Sequence, residues 1–327
     1  MAKQDRKEIS LPELYAMFPD EDAAEQWFIE TRWPDGKHCP KCGSHNVADN
    51  PTRKPLPYRC RDCRRFFSVK TGSVMHGSRL SLRTWALAIY LMNTSVKGVS
   101  SLKLRDYLGV TQKTAWFLAH RIRETFDDAE GEKFAGPVEV DETYVGGKFK
   151  TMHAEDRRRR RLEPKLGKSI VVGAKDRATN QVTARVVGIA DANTLEAFIY
   201  EVTTDDAEVY TDEAKVYGRI FWRQTVQHRR GQYVDGDVHI NGIEGFWAML
   251  KRAYKGTFHK MSEKHLQRYV TEFAGRHNAR DSDTADQMAG LVAGMRGKRL
   301  RYEDLIADNG LSSGAHQVRV DQPRRSC

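Results

Sequence analysis

The segment VEVDETYVGG at residues 138–147 combines β-branched residues with three acids and ends in two glycines. A run rich in valine and threonine is typical of a β-strand. Acids within one strand repel each other and destabilise it unless something neutralises them. Glu139 points away from Val138 and Val140 and lies deeper in the strand than Asp141. The segment therefore predicts a strand whose acids serve a function.

Strand and helix patterns surround this segment. The strand patterns continue at SIVVGAKDR (169–177), QVTARVVGI (181–189) and AEVYTD (207–212), and helical patterns occur at about 193–203, from Asn241 onward, and at 262–278 and 283–295. Upstream, residues 10–32 and 80–127 have helical periodicity, with Ser10 and Asp20 as candidate N-caps. The order predicts an α/β domain preceded by helical segments.

Two more acids occupy defined places in these elements. Asp212 ends the strand AEVYTD, and Glu244 lies in the first turns of the helix that starts near Asn241. Lys251 follows Glu244 by seven residues and so shares its helix face. Two strand aspartates and a helix glutamate can converge on a pair of divalent cations, and hard oxygen ligands suit Mg²⁺ or Mn²⁺.

Each acid also has a purely structural interpretation. Asp141 can be a surface residue at a hairpin, and Asp212 can cap the following helix. Glu244 can complete a capping box with Asn241 as the N-cap, since N-x-x-E has the right spacing. Taken singly these interpretations are the more common ones, so the catalytic hypothesis depends on the three acids together with the rest of the chain.

Composition indicates a nucleic-acid partner. The chain has 327 residues, a formal net charge of +10 and 30% charged residues, an excess of positive charge that favours binding to a polyanion. No apolar run approaches the ~18 residues of a membrane span, and MAKQDRKEIS at the N-terminus lacks the apolar core of a secretory signal. We expect a cytoplasmic, nucleoid-associated protein.

Four cysteines predict a structural zinc site. Cys39 and Cys42 form one CxxC, Cys60 and Cys63 form a second, and 17 residues separate the pairs. Two such knuckles place four thiolates around one Zn²⁺. Arg59, Arg61, Arg64 and Arg65 flank the second knuckle together with Phe66 and Phe67, a mixture that suits either phosphate contact or, for the two aromatic rings, the small core of the ribbon.

A helix-turn-helix pattern follows in SSLKLRDYLGVTQKTAWFLAHRIRETF (100–126). Thr111 is a natural N-cap of its second helix. The apolar face of that helix contains Ala115, Leu118, Ala119 and Ile122, and another face contains Lys113, Trp116, His120 and Arg123. That second face predicts DNA contact in the major groove; the alternative is an ordinary helical hairpin with a solvated basic side.

Taken together, the strings RWPDGKHCPKCGS, VEVDETYVGGK, VVGAKDR, VYTDEAKVYG, HINGIEGFWAMLKR and SEKHLQRYVTEFAGRHN resemble, in this order, the insertion-sequence DDE transposases that carry an N-terminal zinc ribbon. The resemblance covers about residues 20–305. It implies a ribonuclease H-like mixed sheet flanked by helices, preceded by the zinc ribbon and the helix-turn-helix-like region.

The resemblance also assigns roles to single residues. Asp141 matches the first catalytic aspartate, Asp212 the second, and Glu244 the third acid, all as ligands of two Mg²⁺ or Mn²⁺ ions. Lys251 matches the basic residue after the third acid, and Arg252 is expected to contact the DNA backbone beside it. Relatives can use asparagine as the third residue, so Asn241 stays an alternative to Glu244, as Glu139 does to Asp141.

The expected organisation has five parts. They are an N-terminal helical segment (1–32), a zinc ribbon (33–76), a helix-turn-helix-like DNA-binding region (80–130), a catalytic domain (136–280), and a C-terminal helix with a basic tail (281–327). The arginine run 157–161 is either a backbone-tracking loop or a segment that contacts nothing. His239 is either a residue that positions water or substrate, or a turn histidine with one hydrogen bond.

The implied reaction is metal-dependent strand cleavage at terminal inverted repeats followed by transfer of the 3′-hydroxyl into target DNA. Because two DNA ends must be handled together, we expect at least a homodimer. Two other functions fit the same motifs: a ribonuclease H-like nuclease without strand transfer, and a non-enzymatic zinc-ribbon regulator that descends from a transposase.

Overall fold

The computed structural model describes residues 6–126, 131–146, 168–212, 223–226 (backbone only), 239–311 and 313. Its N-terminal half consists of five helices and a small antiparallel sheet of order β1-β2-β3. The elements are α1 (Leu11–Met17), α2 (Glu21–Arg32), β1 (Val47–Asp49), β2 (Tyr58–Cys60), β3 (Phe66–Phe67), α3 (Leu82–Thr94), α4 (Ser101–Leu108) and α5 (Gln112–Arg123).

Local capping explains where these helices begin. The side chain of Ser10 accepts the N–H of Glu13, and that of Asp20 accepts the N–H of Ala23 at 2.8 Å. Each cap satisfies an amide that the first helical turn leaves without a partner. Both predicted N-caps are therefore confirmed.

The second half is built on a five-stranded sheet of order β6-β5-β4-β7-β8. Strands β4, β5 and β6 are antiparallel neighbours, whereas β7 runs parallel to β4 and β8 parallel to β7. The strands are β4 (Val138–Gly146), β5 (Lys168–Asp176), β6 (Val182–Val187), β7 (Val209–Asp212) and β8 (Arg223–Val226). Helix α6 (Ala192–Val202) lies between β6 and β7. The helices after the last strand are α7 (Asn241–Ala253), α8 (Glu263–Asn278), α9 (Thr284–Ala293) and α10 (Tyr302–Ile306).

Helices cover both faces of this sheet. On one face, Val138 and Val140 of β4 belong to the apolar cluster that contains Leu195 and Phe198 of α6. On the other face, alternate strand residues such as Val145 pack in a cluster with α7 and α8. Because side chains alternate along a strand, Glu139 and Asp141 lie on the same face as Val145, toward α7.

One apolar core unites the N-terminal half with a late helix. Buried residues of α2, the small sheet, α3 and α5 form a single cluster, to which α9 contributes Met288, Leu291 and Val292. The division of the chain into five domains stays a prediction. Helix α9, from the last of these five segments, packs within the core of the N-terminal half.

Candidate active site

Parallel pairing places the two predicted aspartates side by side. Strands β4 and β7 pair at Val138–Val209 and Glu139–Tyr210. Two residues further along this register, Asp141 is level with Asp212, which is the last residue of β7. By alternation both side chains lie on the face of the sheet that α7 covers.

Charge coupling shows that the third acid lies nearby. Burial and then the charges of Glu142, Asp212 and Glu244 together raise the pKa of Asp141 to about 7. Glu244 itself is exposed in the first turn of α7. The structure thus brings Asp141, Asp212 and Glu244 to one face of the sheet as a cluster of interacting negative charges.

The cluster is an open arrangement. Within the described ranges, only the four cysteines bring three or more ligand atoms within 4.8 Å of one another. The three carboxylates are therefore spaced more widely than the shell of a single ion. The three carboxylates repel one another, and a bound cation would remove this repulsion. Their oxygen atoms are ligands that suit hard divalent cations.

Glu139 has a different role from Asp141. It is 1% exposed, and its carboxylate accepts the backbone N–H of Ile243 at 2.8 Å and the Nε–H of Arg177 at 2.8 Å. A Cβ on Gly242 would lie 2.7 Å from Glu139 Oε2, so a larger residue at this position would push the carboxylate away. Glu139 of strand β4 therefore caps the N-terminus of α7 and forms an ion pair with Arg177.

This cap overturns the capping-box interpretation of Glu244. The N-cap position of α7 is Ile240, which makes no side-chain cap hydrogen bond, and Asn241 is already the first helical residue. Glu244 is exposed. The carboxylate that serves the start of this helix is that of Glu139, and Glu244 projects from the exposed side of the first turn.

An aromatic side chain holds Asp141. The indole N–H of Trp247 donates to Asp141 Oδ2 at 3.0 Å. Gly173 of β5 is the residue paired with Asp141, and a Cβ there would lie 2.6 Å from Cη2 of Trp247. The missing side chain at Gly173 makes the space in which the indole lies over the sheet and reaches the carboxylate.

Two basic residues follow Glu244 at the end of the same helix. Lys251 and Arg252 are exposed in the last turn of α7, and a π-helical turn (Tyr254–Phe258) follows. Nδ1 of His239 lies 3.3 Å from Oε1 of Glu139, beside the cap of α7. The arginine run 157–161 lies outside the described residues.

The four cysteines form a compact site. The Sγ atoms of Cys39 and Cys63 lie 3.6 Å apart and those of Cys42 and Cys60 lie 3.7 Å apart. A tetrahedral Zn²⁺ with Zn–S bonds of ~2.3 Å needs sulfurs ~3.8 Å apart. The cluster is therefore able to hold one Zn²⁺.

A backbone hydrogen bond in the second knuckle favours the thiolate form of Cys60. The backbone N–H of Cys63 donates to Sγ of Cys60, and this lowers the pKa of the Cys60 thiol to about 7. Phe67 is buried against Trp33 and Tyr58, so it fills the core, whereas the ring of Phe66 is half-buried under the guanidinium of Arg53 at 3.8 Å.

The helix-turn-helix region is confirmed as two helices, but the C-terminal part of its basic face is buried. Thr111 caps α5, and Ala115, Leu118, Ala119 and Ile122 are buried as predicted. Lys113 is exposed and Trp116 is half-buried. His120 and Arg123 are 0% and 2% exposed.

Helix α8 covers that part of α5. The Nε–H of Arg123 donates to Glu272 at 2.7 Å, and its guanidinium lies 4.1 Å from the ring centre of Tyr269. The ring of His120 packs on that of His265. The prediction that Arg123 contacts DNA is therefore wrong, because this guanidinium is buried in an ion pair.

Three features were missed in the sequence: the cap by Glu139, the Trp247 donor and the gap at Gly173. A single glycine between Val172 and Ala174 in a strand does indicate a close approach by another group, but not which one. Among the helices of the described residues, none combines the length and apolarity needed to cross a bilayer.

Comparisons with known proteins identify two domains in the chain. Residues 133–278, which include all three acids, match the ISXO2-like transposase domain, and residues 19–65, which include the four cysteines, match the transposase zinc-ribbon domain. Over 272 residues the chain is 29% identical to an "Uncharacterized protein in transposable element ISH50" of Halobacterium salinarum, covering 78% of this chain and 90% of that protein. With these two domains in this order, the chain belongs to the insertion-sequence transposases that carry an N-terminal zinc ribbon.

Proposed function

We propose that this transposase binds the terminal inverted repeats of its insertion sequence, cleaves strands there, and joins the resulting 3′-hydroxyl to target DNA. The observation that carries the proposal is the position of Asp141 level with Asp212 on the adjacent strands β4 and β7, with Glu244 on helix α7 packed over the same face.

The sheet supports a ribonuclease H-like catalytic domain. Three antiparallel strands continue into two parallel ones, with β4 at the centre. The first two acids lie on the adjacent strands β4 and β7, and the third lies on the helix packed over them. Such a strand order gives two aspartates a rigid base, and rigid placement is what positional catalysis requires.

The acids would hold two Mg²⁺ or Mn²⁺ ions, which when bound neutralise phosphate charge and activate the attacking oxygen. Trp247 fixes one oxygen of Asp141, so this carboxylate keeps a single orientation. Lys251 and Arg252, exposed two turns after Glu244, would hold the phosphate groups next to the scissile bond. The chain would act as at least a dimer, since two ends are joined in one event.

The test uses the full chain and duplexes that carry the DNA flanking its own gene. With Mg²⁺ we expect nicks at the element ends and joining of pre-cut ends to a plasmid. Asp141→Asn, Asp212→Asn and Glu244→Gln should each lower both activities at least ~100-fold, because each loses a ligand that neutralises transition-state charge. Asn241→Ala is the matched control and should keep both activities.

Other outcomes would overturn this proposal. Cleavage without joining of pre-cut ends would assign a nuclease. Specific DNA binding with neither activity would assign a regulator. If Asn241→Ala were inactive and Glu244→Gln active, Asn241 and not Glu244 would be the third catalytic residue.

A further inference from the structure

A cleft of about 730 Å³ lies between the zinc ribbon and the turn that follows helix α9. One side is formed by the first knuckle, by residues 65–67 and 71–73 and by His76, and the other by residues 296–299. The two sides are joined, since the N–H of Gly297 donates to the carbonyl of Gly72 at 3.0 Å and Ser73 forms a β-bridge with Arg296. The cleft is therefore a built feature of the fold.

The lining of this cleft is basic. Six of its lining residues are lysines or arginines, namely Arg32, Lys41, Arg65, Arg296, Lys298 and Arg299. Of these, Lys298 donates through Nζ to the carbonyl of Glu124 at 3.0 Å. No Asp or Glu lines it, and all of its lining residues belong to the described part of the chain. Asp35 lines only the adjoining pocket of about 300 Å³.

Two of these cations, Arg32 and Arg296, repel each other. Arg32 is half-buried, and its terminal nitrogens lie 3.4 Å from the carbonyl of Thr71. Burial and, to a smaller extent, the charge of Arg296 lower the pKa of Arg32 to about 10. Cations that destabilise one another in this way are stabilised by an anion between them.

The occupant follows from size and charge. A cleft of this volume holds more than one phosphate group and is open to solvent along the basic turn 296–299. The buried Arg123 removes one expected DNA contact from α5. An open row of arginines without acids fits a phosphodiester backbone.

We propose that this cleft binds the phosphate backbone of duplex DNA, with Arg296 and Arg299 of the C-terminal turn completing a site begun by Arg32 and Arg65. The inference rests on the proposed function, because the DNA would be that of the transposition complex. It adds that a segment about 230 residues after the knuckles is part of the ribbon's DNA-binding surface.

The test compares duplex binding by the zinc-loaded full chain and its Arg296→Ala/Arg299→Ala variant across a salt series, in EDTA-free buffer without Mg²⁺. Each lost phosphate contact makes the slope of log K against log[salt] shallower by ~0.9 and weakens binding about tenfold at 0.1 M salt, whatever the DNA sequence. We expect a slope shallower by ~2. Arg296→Lys/Arg299→Lys, which keeps both charges, should retain the wild-type slope.

Lys7→Ala/Lys133→Ala removes the same charge from exposed positions outside the cleft and is the matched control. An equal loss in this control, or no change of slope in the arginine variant with zinc content intact, would overturn the cleft as the site. Preferential binding of polyglutamate over duplex DNA at this cleft would overturn DNA as its occupant. Failure of the wild-type chain to bind any duplex would instead refute the proposed function.

Discussion

The carboxylate of Glu139 accepts the backbone N–H of Ile243 at 2.8 Å, so strand β4 caps the helix that carries Glu244. The first predicted catalytic acid, Asp141, lies two residues further along the same strand. One strand therefore supplies an acid to the candidate active site and sets the position of the helix that supplies another.

Glu139→Gln should test this division of roles. The amide keeps an oxygen for Ile243 but loses the charge that pairs with Arg177, so we expect a loss of about 1–3 kcal/mol in the free energy of unfolding. The stabilisation by Mg²⁺ in urea unfolding should persist in Glu139→Gln and vanish in Asp141→Asn. Loss of the Mg²⁺ effect in both variants would make Glu139 a ligand.

Trp247→Phe should raise the pKa of Asp141 further. The indole N–H stabilises the ionised carboxylate, so without it a higher pH is needed to ionise Asp141. We expect the pH profile of Mg²⁺-dependent cleavage to move to higher pH, with unfolding made easier by about 1–3 kcal/mol. An unchanged profile would show that the indole serves packing alone.

Gly173→Ala provides the companion variant, since its Cβ would lie 2.6 Å from the indole. The clash should cost about 1–3 kcal/mol in the wild-type background. In Trp247→Phe the smaller ring leaves room, so the two changes should be less than additive in a double-mutant cycle. Strict additivity would mean that the two side chains do not share this space.

Arg123→Met should lower stability without altering the salt dependence of DNA binding. It leaves Glu272, which is 0% exposed, without its 2.7 Å partner, and removal of one member of a buried pair costs about 3–5 kcal/mol. Urea unfolding of Arg123→Met and of the wild type measures this loss. If Arg123→Met were as stable as the wild type and its slope of log K for DNA binding against log[salt] were shallower by ~1, Arg123 would contact DNA as first predicted.

Acid should destabilise the protein through two buried histidines. Burial, then the charge of Arg123, holds the pKa of His120 well below its usual value, and burial with Arg268, Lys264 and Arg123 lowers that of His265 to about 4. Unfolded histidine titrates near 6.5. Stability is therefore full above about pH 6.5 and is lost as pH falls toward 4, by about 1 kcal/mol per histidine at pH 5.5.

His120→Phe is the variant for this test. Its free energy of unfolding should fall less between pH 7.5 and 5.5 than that of the wild type, by about 1 kcal/mol. His259→Asn, at an exposed position, should keep the wild-type dependence. Identical pH dependence in all three proteins would exclude His120 as a source of acid sensitivity.

Features that depend on near neighbours in sequence were predictable. The caps at Ser10, Asp20 and Thr111 are decided within three or four residues, and each CxxC pair closes one knuckle. The order of strands and helices followed from periodicity, and the assignment of Asp141 and Asp212 to two strands of one sheet from a family resemblance.

Features that depend on distant partners were not predictable. The basic side of α5 looks like a solvated or DNA-facing surface because Glu272 and Tyr269, which bury Arg123, come about 150 residues later. The carboxylate that caps α7 comes from a strand 104 residues earlier. In both cases a charged residue is satisfied by a partner that local periodicity cannot reveal.

The position of α9 sets the order in which the chain matures on the ribosome. Met288, Leu291 and Val292 complete the apolar interior of the N-terminal half, and the N–H of Thr284 donates to the carbonyl of Lys7. The half that is synthesised first therefore stays incomplete until almost the entire polypeptide has emerged. A product truncated before this helix would expose apolar surface and become a substrate for proteolysis.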